Sequence, residues 1–147
     1  VDMARSHGVE VTGVTKGVAG NAEVARAMLA GGIQTLADSR LDNIARLRSA
    51  GIEAPVMLLR SPGPSDVSRT VALADVSLNA GMAIMEALSS EASARHKVHG
   101  VILMVDLHTG REGLPVDQVP AACGRLRELP GVQQVLCARP GLGARLI

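Results

Sequence analysis

The sequence contains no phenylalanine, tryptophan or tyrosine. That excludes any site in this chain built on a phenol, and any that stacks a ligand on an aromatic side chain. A core remains available from Ala, Val, Leu, Ile and Met, because hydrophobic residues make up 47% of the chain. Cysteine is scarce: Cys123 and Cys137 have neither metal-ligand nor CxxC spacing, so two reduced thiols are expected. Lysine is scarcer than arginine, 2 against 13, a skew that a coding bias explains better than function. No apolar run is long enough to span a bilayer and nothing reads as a signal peptide, so a cytoplasmic protein without a membrane partner is expected. The net charge of +1 gives no electrostatic footprint for nucleic acid.

What is present alternates between two periods. The stretches 9–15, 33–39, 54–60, 75–79 and 99–107 are short and apolar and read as strands, with 131–138 as a weaker sixth. Between them, 21–32, 40–51, 61–74, 81–97 and 114–129 carry helical spacing. Asn21 is placed to cap the first of these, and Ser65 or Asp66 the third; Gly-Gly at 31–32 and Gly51 act as stops. "HGVILMVDL" is the most continuous apolar run, as in a strand buried on both faces. Strands alternating with helices predict an α/β fold with a parallel sheet. The spacing fits an open doubly wound sheet or part of a (β/α)8 barrel equally well. No linker or low-complexity segment divides residues 1–147, which read as one domain or part of one.

In parallel α/β proteins function gathers at the carboxyl ends of the strands, and Lys16 stands at such an end, followed by a "GVAGN" loop. A lysine there can form a Schiff base with an aldehyde cofactor such as pyridoxal phosphate (PLP). On position alone, a side chain running out into solvent fits as well. A phosphate-binding GxxxxGK[ST] loop does not fit, since Lys16 precedes its glycine.

The words "VTKG", "LADSRLDN", "MLLR", "DVSLN" and "HGVILMVDLHTGREGL", in this order and over roughly residues 8–129, resemble the alanine/ornithine racemase-like family of PLP-dependent enzymes. These carry an alanine racemase N-terminal barrel. The resemblance implies a PLP-binding (β/α)8 TIM-type barrel, incomplete in this chain, with about five to six of its eight βα units. It implies PLP as cofactor, an amino acid as substrate, and an isomerase that removes and returns the α-proton of an amino acid joined to PLP. Lys16 would bond the cofactor and act as one acid/base. Arg111, five residues after Asp106, would donate to the phenolic oxygen of PLP, a task suited to a planar, permanently charged guanidinium. Asp106 would orient Arg111 or a neighbour. Asp38, Ser39, Arg40, Arg60 and Asn79, at the ends of later strands, are possible site-lining residues; individually, each also reads as a capping or ion-pairing residue. Met104 stands where alanine racemases proper often have lysine, which points away from that subfamily. His96, His99 and His108 have no metal-ligand spacing and no catalytic assignment.

A barrel of this kind typically needs ~250 residues. By the resemblance, the phosphate cup, the group facing the pyridine nitrogen and a second acid/base, usually a tyrosine, would come from segments outside these 147 residues. The opening "VDMARSHG" resembles the middle of a leading helix, and the tail after about Leu129 departs from the family's "GIGTN"-like turn. A homodimer is expected of the full-length enzyme. Two other readings are a non-catalytic PLP-binding or homeostasis protein, and an inactive truncated fragment.

Overall fold

The computed structural model describes residues 1–107, 110 and 112–138. These fall into two compact units, Val1–Leu59 and the remainder from Arg60.

The first unit opens with a short helix α1 (Asp2–Ser6), then strand β1 (Thr12–Val14), helix α2 (Ala22–Ala30), strand β2 (Thr35–Asp38), helix α3 (Leu41–Ser49) and strand β3 (Val56–Leu58). The strands are parallel, Gly13 lying beside Leu36 and Ala37 beside Met57. Asn21 caps α2 as expected: its Oδ1 accepts from the Glu23 and Val24 N–H groups at 2.9 and 3.1 Å. In α3, Leu41, Ile44 and Leu47 recur at three-residue spacing and all are buried. The helix ends where Gly51 takes φ +77°, a left-handed backbone that costs glycine nothing sterically. Leu36, Val56 and Leu58 complete this core; a fully buried leucine or valine contributes about 1.5–3 kcal/mol.

The second unit contains helix α4 (Val67–Leu73), strand β4 (Val76–Asn79), helix α5 (Met82–Ala94), strand β5 (His99–Asp106), a two-residue strand β6 (Leu114–Pro115), helix α6 (Val119–Glu128) and strand β7 (Val132–Ala138). β5 lies between β4 and β7, parallel to both, and β6 extends its end at Val105 and Asp106. The weaker sixth strand of the sequence pattern is therefore present. β7 carries an irregularity: Gln134 faces Val101 but Leu136 faces Ile102, so Val135 is an extra residue in the ladder. Met85, Val101, Leu103, Leu114, Ala122 and Leu126 form one core cluster, and Val67, Val71, Leu88 and Ala92 a second. The side-chain cap expected of Ser65 or Asp66 does not form. Asp66 stands at the N-cap with φ −96° and ψ −6°, already helical, because the 3-10 turn Pro64–Asp66 runs straight into α4. An N-cap side chain bonds back from an extended backbone, which is not available here.

No helix among the described residues is long and apolar enough to cross a membrane.

Candidate cofactor site

Lys16 begins a 3-10 turn, Lys16–Val18, one residue after β1. Its side chain is exposed. Thr15 anchors the turn: its N–H donates to the Ala37 carbonyl at 2.9 Å, and its own carbonyl accepts from Val18 and Gly20 at 3.0 and 3.2 Å. The chain then passes through two left-handed residues, Ala19 (φ +53°) and Gly20 (φ +67°), before the cap at Asn21. Gly20 is obligatory for a second reason: a Cβ there would sit 2.8 Å from the Asn43 Cβ and backbone oxygen. Only a bare backbone approaches α3 so closely.

Beneath the turn lies a buried polar network. Asp38, the last residue of β2, is fully buried. Its Oδ2 accepts from the Thr15 hydroxyl at 2.8 Å, and its Oδ1 accepts from the Arg40 N–H at 2.9 Å and the Asn43 amide at 3.0 Å. Three donors on two oxygens are what a buried carboxylate needs. The Asp38–Arg40 bond is an Asx turn that starts α3. Asp38 thus joins the ends of β1 and β2 to the first turn of α3. Ser39 is half-buried, and Arg40, at the N-cap of α3, is exposed.

In the second unit, Asn79 ends β4 and is fully buried, its Nδ2 donating to the Ser77 carbonyl at 2.8 Å and the Ser77 hydroxyl at 3.0 Å. The Ser77 hydroxyl in turn meets His99 Nε2 at 2.9 Å. Burial pushes the His99 imidazole down to about 4, with a bond to the Ala74 backbone opposing that shift in part. A neutral imidazole donating to Ala74 accepts from Ser77, so the proton order along the chain is fixed. Asn79 Oδ1 is left at its end without a hydrogen-bond partner among the described residues. Asp106, half-buried at the end of β5, lies beside Pro115 of β6. Arg60 is exposed. Arg111 and His108 lie outside the described residues.

Of the residues singled out from the sequence, Lys16, Asp38, Ser39 and Arg40 are brought to neighbouring strand ends of one unit. Asp38 and Asn79 are turned to internal bonds and support strand ends from below. The pattern gave no notice of Thr15, Asn43, Ser77 and His99 as partners, although a buried Asn on the apolar side of "LDNIARL" is a detectable signal. Lys97 is accounted for differently: its ammonium points at the Val71 and Ala72 carbonyls, 3.4 and 3.5 Å away, at the end of α4.

Parallel strand–helix repeats with an exposed amine just past the first strand define a protein of the TIM-barrel type, represented here by part of its βα units. The chain belongs to the family of the alanine racemase N-terminal domain, which it matches over residues 2–138. It is 32% identical to the lysine racemase of Thermotoga maritima over 114 residues, 78% of this chain and 32% of that one. To the ornithine racemase of Acetoanaerobium sticklandii it is 32% identical over 112 residues, 76% of this chain and 31% of that one. The chain thus spans about a third of the length of these relatives. PipY of Synechococcus elongatus, also solved with PLP bound, shares the fold at a TM-score of 0.81 and 20% identity, covering 97% of this chain and 71% of PipY.

Proposed function

We propose that this chain is the amine-bearing part of a PLP-dependent amino-acid racemase, with Lys16 as the residue that bonds the cofactor aldehyde and moves a proton at the substrate α-carbon. The observation that carries this reading is the contrast between the two lysines. The Lys97 ammonium is engaged by helix carbonyls, whereas Lys16 is exposed and makes no side-chain hydrogen bond or ion pair among the described residues. An aldehyde needs a reachable amine with room beside it, and a Cβ added at the adjacent Gly17 would meet nothing within 4 Å. When bound, PLP supplies the electron sink that makes the α-proton removable. Arg111 would donate to its phenolic oxygen, with Asp106 orienting Arg111 or a neighbour; Ser39, Arg40 and Arg60 would line the approach. Asp38 and Asn79 would act by holding strand ends. The substrate is an α-amino acid, the whole enzyme a homodimer and its compartment the cytoplasm.

A second reading is a PLP-binding protein without turnover, supported by the fold shared over 97% of this chain with PipY, a protein solved with PLP bound. One experiment separates the readings. The chain is mixed with PLP, reduced with borohydride, and the modified lysine is mapped by mass spectrometry; α-deuterium uptake from heavy water is followed in parallel with alanine, ornithine and lysine. Selective modification of Lys16 with α-exchange supports proton transfer by Lys16. Modification of Lys16 without exchange supports the binding protein. Equal modification of Lys16 and Lys97, or none, refutes both.

A further inference from the structure

Both ends of the turn that carries Lys16 are tied to α3, and the ties meet at one side chain. At the near end, Thr15 bonds to Asp38, and Asp38 accepts from the Asn43 Nδ2. At the far end, Arg46 Nη1 donates to the Ala19 carbonyl at 2.8 Å and to Asn43 Oδ1 at 3.3 Å. Asn43 therefore uses its donor toward one tie and its acceptor toward the other. The hydrogen bonds close a ring, Thr15–Asp38–Asn43–Arg46–Ala19, and the backbone from Ala19 back to Thr15 carries Lys16.

Two features show that this ring shapes the turn as well as adding stability. Ala19 is a non-glycine residue at φ +53°, a conformation that persists only where its surroundings impose it. The turn itself is exposed from Lys16 to Ala19, so packing does not impose it. The Arg46 bond to the Ala19 carbonyl and the close seat of Gly20 on Asn43 do.

We infer that Asn43 and Arg46 are positioning residues for Lys16: joined through Asn43, they fix the backbone of the turn and so the direction in which the Lys16 side chain leaves it. The consequence for carbonyl chemistry rests on the function proposed above. The ring itself does not, and the test keeps the two apart. Arg46 is exposed, so its replacement leaves the core intact. Arg46→Ala, Arg46→Lys and Asn43→Ala are compared with the parent chain in the PLP–borohydride mapping. A cofactor-free arm measures acetic anhydride reactivity of Lys16 relative to Lys97 across pH, and thermal unfolding is recorded for each protein.

Loss of one charge-assisted hydrogen bond that orients the turn is expected to lower the Lys16-to-Lys97 ratio with PLP about tenfold in Arg46→Ala. Arg46→Lys, which keeps a cationic donor, is expected to restore most of it, while Asn43→Ala falls at least as far as Arg46→Ala. The anhydride reactivity of Lys16 relative to Lys97 is expected to change in the same two alanine variants. Unchanged ratios and profiles in Arg46→Ala overturn the inference, as does a loss that follows only the unfolded fraction and is not rescued by Arg46→Lys. If the parent chain shows no preference of PLP for Lys16, the function fails, and the anhydride arm alone decides the positioning role.

Discussion

The two units each bury a polar network under a strand end, and the networks differ in how they finish. In the first unit Asp38 takes three donors, its partner Asn43 is used on both sides, and the hydrogen bonds return to where they began. In the second unit the line from His99 through Ser77 to Asn79 stops at an acceptor with no partner among the described residues. A closed network holds a backbone in one shape. An open one spends burial on a group still owed a bond, and it begins at an imidazole that protonation can reverse. The closed network lies under the turn that carries Lys16, the residue proposed to bond the cofactor.

The largest expected effect breaks the closed side. Asp38→Ala strands the Asn43 amide and the Arg40 N–H and leaves the Thr15 hydroxyl only its 3.3 Å bond to the Ala37 carbonyl, and is expected to cost about 4 kcal/mol in urea unfolding. A loss below about 1 kcal/mol would show that the network is not what joins β1, β2 and α3. Acid tests the open side. His99 is held near 4 in the folded protein against 6.5 for the free side chain. Below 6.5 the unfolded chain binds a proton that the folded one refuses, so stability present at neutral pH is lost as pH falls toward 4. The expected loss is about 3 kcal/mol. His99→Gln should flatten that slope; an unaltered slope would put the acid sensitivity elsewhere. The smallest effect sharpens the contrast. Asn79→Ala gives up two hydrogen bonds but also removes the orphan acceptor, and is expected to change stability by no more than about 1 kcal/mol. Equal costs for Asn79→Ala and Asp38→Ala would mean that the networks do not differ in kind.

Much of this architecture could be read from the chain, since hydrophobic period survives in local sequence. The five apolar stretches each contain a strand, and Asn21 and Gly51 punctuate helices as their residue types require. Strand bounds contracted where pairing, rather than composition, decides: Val9–Val11 are apolar or extended in pattern, but the ladder with β2 begins at Thr12. β6 escaped notice because two residues have no period. The weaker sixth strand is specified less by its own Gln133 and Gln134 than by the buried edge of β5 that it covers. The site divides the same way. That Lys16 stands just past a strand end is legible because strand-end position is a local property. The role of Asp38 is not, because it depends on Thr15, 23 positions away; Asn79 bonds locally to Ser77, and only the next link, Ser77 to His99, spans 22 positions.

The extra residue at Val135 has a consequence for how β7 holds to β5. Val135 is 43% exposed, and around it the pairing with β5 is interrupted, leaving 132–134 and 136–138 as two separate runs. A bulged strand twists more strongly than a regular one and presents a broken row of amides. In hydrogen exchange the two runs should open as independent steps, so that fraying at the end of β7 does not travel into the residues that seal His99.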